Sequence, residues 1–166
     1  MHAFRDAIVS KRWPIYLYGP AGRGKSYGMA AIYLGWHTEN AQWYDVSQLL
    51  RKIIRCRMEG GHIQEMGPNG IPYDLYEDKI FRKVADAHLA CFDDVGLRSP
   101  SDSMYDAWYA LVNSRKRLPT VYTGNLRPDE LHKVYDARIA SRITEGTVIE
   151  LTGDDRRLHK TKFVTV

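Results

Sequence analysis

Two cysteines, Cys56 and Cys91, are all the thiol chemistry this chain of 166 residues has. That number and spacing make neither a disulfide framework nor a zinc site. Cys91 lies inside an apolar run and is expected to be a buried thiol. No apolar run approaches the ~20 residues needed to cross a bilayer, so no membrane partner is expected. Met1 to Asp6 lacks the long apolar stretch of a secretory signal, so a cytoplasmic setting, in a bacterium or as a phage product, is the expectation. Internal repeats and low-complexity segments are absent. Neither sign of charge dominates: 24 Lys and Arg stand against 20 Asp and Glu, a net +4. Such mild basicity permits a polyanionic partner without requiring one.

The composition is otherwise that of an ordinary soluble domain, 44% hydrophobic and 27% charged. The length suits a single domain with a real core, and residues 1–166 are expected to form one.

The most informative stretch is Gly19-Pro20-Ala21-Gly22-Arg23-Gly24-Lys25-Ser26, followed by Tyr27. It is a complete G-x-x-x-x-G-K-[ST] phosphate loop. The apolar run Pro14 to Tyr18 precedes it and a helical pattern, Tyr27 to Trp36, follows it. Strand, loop, helix is the order in which the motif has physical meaning. Its glycines let successive backbone N–H groups curl around phosphates. Lys25 supplies an ammonium for the β- and γ-phosphates, and Ser26 a hydroxyl for Mg²⁺. The positive end of the helix dipole faces the same charge.

Further along, the pattern alternates. A strand is expected at 42–46. Ser47 is a candidate N-cap for a helix carrying Leu49, Leu50, Ile53 and Ile54. Gly60 to Pro72 reads as a loop, and Tyr73 to Ala85 as a helix. A strand at 88–92 precedes a helix from Ser101 to Leu118, and another strand follows at 119–123. Pro128 to Tyr135 and Asp136 to Thr144 read as two short helices, and 147–151 as a last strand. Strands alternating with helices predict a parallel sheet covered on both faces. Ligands of such sheets lie beyond the carboxyl ends of the strands, where the phosphate loop already is.

Leu89-Ala90-Cys91-Phe92-Asp93-Asp94 is an apolar strand closed by two acids. Asp93 would hold the Mg²⁺ shell and Asp94 would orient or deprotonate an attacking water. Aspartate at position 94 is one methylene shorter than glutamate, so hydrolysis is expected to be slow or to wait on a conformational change. Asn125, closing Thr120 to Asn125, is placed either to touch the γ-phosphate or attacking water, or simply to form an Asn turn. Arg138 and Arg142, four apart, share a helix face. They serve as a solvated face or, in a ring or spiral, as an arginine reaching a neighbour's γ-phosphate.

Taken together, these residues resemble the AAA+ ATPases of the DnaC/DnaI-type helicase loaders and their IstB-like transposition relatives. The shared segments are 19–26, Cys91 to Gly96, Thr123 to Leu126, Ala137 to Ile143 and Ile149 to Arg157. The resemblance implies a P-loop NTPase of the ASCE, AAA+ type. Its fold is α/β, with a parallel five-stranded sheet of order 5-1-4-3-2, helices on both faces and no C-terminal lid. It implies Lys25 and Ser26 as Walker A, Asp93 and Asp94 as Walker B, Asn125 as sensor 1, and Arg142, with Arg138 beside it, as the arginine finger. ATP and Mg²⁺ are the implied cofactors. The implied partners are further copies of the chain, single-stranded DNA and a replicative helicase or another client. Loaders of this type carry a helicase-binding region ahead of the ATPase domain. Here the phosphate loop begins at Gly19, so a stand-alone version or an excised domain is the expectation.

Arg51, Lys52, Arg55 and Arg57 crowd the helix after the second strand. By resemblance this region would face single-stranded DNA, and a basic groove suffices for sequence-independent binding. The same four cations also fit a solvated helix face. Tyr44 and Tyr73 are possible stacking platforms. Three other readings remain at this point: an IstB-like transposition helper, a small-molecule P-loop kinase, and a nucleotide switch that does not hydrolyse.

Overall fold

A computed structural model describes residues 12–36, 40–96, 100–153 and 155. Its elements run β1 (Ile15–Tyr18), α1 (Lys25–Leu34), β2 (Ala41–Asp45), α2 (Val46–Met58), β3 (His62–Met66), β4 (Pro72–Tyr76), α3 (Glu77–Ala85), β5 (Leu89–Val95), α4 (Asp102–Ser114), β6 (Thr120–Gly124), α5 (Pro128–Val134), α6 (Ala137–Thr144) and β7 (Thr147–Glu150). The main sheet has the order β2-β5-β6-β1-β7, and each of its pairings is parallel. Counting those five strands alone and reading from the β7 edge, the order is 5-1-4-3-2, as expected.

Central strands of a parallel sheet are covered on both faces and so read as continuous apolar runs. β1 is Ile-Tyr-Leu-Tyr for this reason. Ile15 and Leu17 face one core with Met29 and Ile32 of α1 and with Leu89, Cys91 and Val121. Tyr16 faces the other, with Phe92, Tyr122 and the apolar sides of α2, α3, α4 and α6. Phe92 and Tyr122 stack at 5.4 Å, and Trp108 meets Phe92 edge-on at 5.3 Å. Aromatic pairs of this kind add about 0.5–1.5 kcal/mol each beyond their buried area. Cys91 is fully buried, and burial pushes its thiol up to about 12.

Four local expectations are corrected. The segment from Gly60 to Pro72 is not a loop throughout. It holds β3 and the start of β4, an antiparallel hairpin with Ile63 opposite Leu75 and its turn at Gly67–Gly70. Tyr73 to Tyr76 belong to β4, so the helix expected from Tyr73 begins only at Glu77. The cap of α2 is Asp45, whose Oδ1 accepts from the Gln48 amide at 2.8 Å. Ser47 instead donates its hydroxyl to that carboxylate. Ser101 is the N-cap of α4, and that helix ends at Ser114 rather than Leu118.

Arg115 locks the amino-terminal edge of the sheet. It is 2% exposed, and its guanidinium donates to the carbonyls of Val84, Ala85, Ala87 and Pro119 and to Thr120 Oγ1. The end of α3 and the entries to β5 and β6 are thereby tied to one cation, with no carboxylate partner among the described residues. At the opposite edge the Tyr16 hydroxyl donates to the Leu126 carbonyl at 2.7 Å, joining β1 to the chain leaving β6.

Candidate functional site

The carboxyl ends of β1, β2, β5 and β6 open onto one cavity of about 700 Å³. Ala21, Gly22, Gly24, Lys25, Ser26 and Tyr27 line one side of it, and Asp45, Asp93, Asp94, Thr123 and Asn125 the other. The phosphate loop needs glycine where its backbone turns left-handed. Gly24 caps α1 at φ 87° and Gly22 has φ +78°. A Cβ on Gly22 would also lie 1.8 Å from Asp155 Oδ1, so the carboxylate of Asp155 rests against the loop. Lys25 Nζ donates to the carbonyls of Gly19 and Pro20, each at 2.8 Å, which holds its ammonium against the loop it serves. Tyr27 is 70% exposed on the first turn of α1. Arg23 Nη1 is buried without a hydrogen-bond partner among the described residues.

Ser26 and Asp93, both expected metal-site residues, meet: Ser26 Oγ donates to Asp93 Oδ1 at 3.1 Å. The Thr123 hydroxyl donates to the same Oδ1 and accepts from the Asp94 amide at 3.0 Å. Asn125 Nδ2 stands 3.5 Å from Asp94 Oδ1. A serine hydroxyl, a carboxylate and an ammonium at a helix N-terminus are the donor set that a hydrated Mg²⁺ and its polyphosphate require. The residues present fit both groups.

Neither a protein-family model nor a curated protein sequence matches the chain. Solved structures do. DnaA bound to AMPPCP and single-stranded DNA matches with a TM-score of 0.72 at 16% identity, over 92% of this chain and 45% of that one. The DnaC helicase loader matches at 0.69 and 16%, over 91% and 87%. DnaI matches at 0.67 and 23%, over 93% and 80%. The fold is that of the P-loop AAA+ NTPases. The chain spans less than half the length of the DnaA chain it matches.

Other expected site residues lie away from this cavity. Arg138 and Arg142 do not line it. Both guanidinium groups sit over the ring of Tyr109 on α4, at 5.3 and 5.4 Å. Arg138 is also paired with Asp136 at 2.8 Å. Arg142 has no carboxylate partner among the described residues, and its Nε is buried without a hydrogen bond. Asp136 caps α6 by accepting from the amides of Arg138 and Ile139. The Tyr105 phenol beside it, the Ile139 amide and the Arg138 guanidinium hold its carboxyl well below the usual range, at about 2.

The basic face of α2 is largely neutralised within the chain. Lys52 pairs with Glu65 at 2.7 Å, Arg55 with Glu59 at 2.7 Å and Arg57 with Glu77 at 2.8 Å. Arg51 donates to Ser47 Oγ. Tyr44 stacks on Phe92, and burial raises its phenol to about 12. Tyr73 is exposed on β4. Of the expected closing segment, Asp154, Arg156 and Arg157 lie outside the described residues, as does the stretch Met1 to Asp6.

Thr123, Asp45 and Asp155 line or touch the site but were not singled out as its residues. Asp45 could have been: it closes β2 as Asp93 sits near the end of β5, and the two are in register. Thr123 belongs to the Thr-Gly-Asn segment already noted, but nothing in its spacing shows that its hydroxyl faces two acids. No helix among the described residues is long and apolar enough to cross a membrane.

Proposed function

We propose that this chain binds ATP with Mg²⁺ and hydrolyses it, and that it does so as an assembly of copies acting on single-stranded DNA and a replicative helicase. The observation that carries the reading is the meeting of Ser26 with Asp93 at the mouth of a complete phosphate loop. The bound DNA in the DnaA structure and the loader function named for DnaC support the choice of partners.

The residues divide the work as follows. The backbone amides from Gly22 to Ser26 face the phosphates. The Lys25 ammonium leaves its two loop carbonyls for the phosphate oxygens, exchanging neutral acceptors for charged ones, which bind it more strongly. Ser26 and Asp93 would hold Mg²⁺, which when bound neutralises charge on the β- and γ-phosphates. Asp94 accepts the proton of the attacking water, and the Asn125 amide orients that carboxylate or the water. Arg142 is the better placed of the two arginines for an anion on a neighbouring copy, because Arg138 is already engaged by Asp136.

The test is the rate of Mg²⁺-ATP hydrolysis per chain across protein concentration, with and without single-stranded DNA, beside Lys25→Ala. A rate per chain that climbs with concentration supports shared sites. A flat rate identifies a monomeric enzyme. No turnover above Lys25→Ala refutes hydrolysis.

A further inference from the structure

We infer that Thr123 is a positioning residue, one that brings Asp93 and Asp94 onto the same side of the sheet; this rests on the nucleotide-site reading above. Successive side chains of a regular strand point to opposite faces. Two adjacent acids at the end of β5 could not both face one cavity if that strand continued regularly, yet Asp93 and Asp94 both line it.

The departure is visible in the pairing of β5 with β6. The register is regular from Ala90↔Thr120 to Phe92↔Tyr122, and it resumes as Val95↔Gly124. Asp93 and Asp94 therefore stand together opposite Thr123. Two residues against one is a β-bulge. Asp94 carries the backbone distortion, at φ 62°, a conformation uncommon for any residue but glycine.

A bulge takes a backbone amide out of the ladder, and the freed amide needs another acceptor. The Thr123 hydroxyl is that acceptor: it takes the Asp94 amide at 3.0 Å and gives its own proton to Asp93 Oδ1. Thr123 is 1% exposed, so its hydroxyl is held inside the sheet beside both acids. One hydroxyl thus fixes the carboxylate assigned to the metal and the backbone of the carboxylate assigned to the water. Serine could make both bonds. Valine, of nearly the same shape, could make neither.

The experiment compares wild type, Thr123→Ser and Thr123→Val by three measurements on the full chain. The first is hydrogen exchange at the Asp94 amide without nucleotide. The second is the Mg²⁺ concentration that supports half-maximal ATP binding. The third is kcat. Thr123→Val is expected to speed the amide exchange and raise the Mg²⁺ requirement, each by about tenfold, the scale of one lost hydrogen bond. It is expected to lower kcat about 100-fold while leaving ATP affinity at saturating Mg²⁺ within about threefold, as for a displaced catalytic group. Thr123→Ser should match wild type throughout. If Thr123→Val does not fold, Thr123→Ala, which also lacks the hydroxyl, is read the same way. A hydroxyl-free variant that behaves as wild type, or a serine variant that loses as much as valine, overturns the inference. A wild-type chain binding no more ATP than Lys25→Ala overturns the site reading, while the amide exchange still decides whether Thr123 holds the bulge.

Discussion

Ser26 and Asp93 are 67 residues apart in the chain and 3.1 Å apart in space, hydroxyl to carboxylate. One lies in the first turn of the helix after β1 and the other near the end of β5, two strands away across the sheet. A parallel sheet sends all its strand ends to one rim, so residues from distant segments converge there without a dedicated scaffold. The chemistry proposed for this chain depends on that convergence.

Lys25→Ala removes the only side-chain cation lining the cavity among its described residues. ATP affinity should fall about 100-fold, the scale of a charge-assisted hydrogen-bond set. Equilibrium titration with a fluorescent ATP analogue measures it. Unchanged affinity would place the nucleotide elsewhere.

Asp94→Asn keeps the shape of the side chain and removes its capacity to take a proton. Binding should stay within about threefold and turnover fall by about 100-fold or more, as for other lost general bases. Single-turnover kinetics beside binding separates the two. Equal losses in both would assign Asp94 to binding.

Arg142→Ala should lower turnover by about 10³, in the range known for trans-acting arginines, with nucleotide affinity of the single chain unchanged. Mixing Arg142→Ala with Lys25→Ala chains should restore part of the activity, since each kind supplies what the other lacks. A mixture as inactive as its components argues against action in trans. Arg138→Ala should have the smaller effect, because Arg138 already serves Asp136.

Asp136 makes the anchoring of α6 depend on acid. Its carboxyl titrates at about 2 in the folded chain, below the ordinary 3.8. A group held below its unfolded value stabilises the fold above that value and ceases to do so as pH falls through the folded one. Wild type should therefore lose stability between pH 3.8 and about 2 beyond what Asp136→Asn loses. Urea unfolding of both across that window gives the difference, and parallel curves would refute the assignment.

Arg115→Met fills much of the same space and leaves the carbonyls of Val84, Ala85, Ala87 and Pro119 without this donor. Unfolding free energy should fall by about 3 kcal/mol, as expected when buried acceptors lose their partners. A loss below about 1 kcal/mol, the net worth of one ordinary hydrogen bond, would show the cation to be dispensable.

The sequence alone determined what depends on contiguous residues. The phosphate loop is eight consecutive residues whose function lies in their own backbone, so it was legible at once. The central strands β1, β5 and β6 were legible because burial on both faces makes them largely apolar. The hairpin of β3 and β4 was not. Its strands are short and mostly exposed, and Gly67-Pro68-Asn69-Gly70 marks a turn without marking what flanks it. The cap of α2 was misplaced by two residues because Asp45 and Ser47 are both competent caps, and only the backbone path chooses between them. Tertiary structure alone decided the seat of Arg138 and Arg142 over Tyr109, the pairing of Lys52 with Glu65 and of Arg57 with Glu77, and the place of Thr123. Each of these is settled by which groups meet after the sheet has closed, and a register shift of one residue between β5 and β6 leaves no trace in a pattern of residue types.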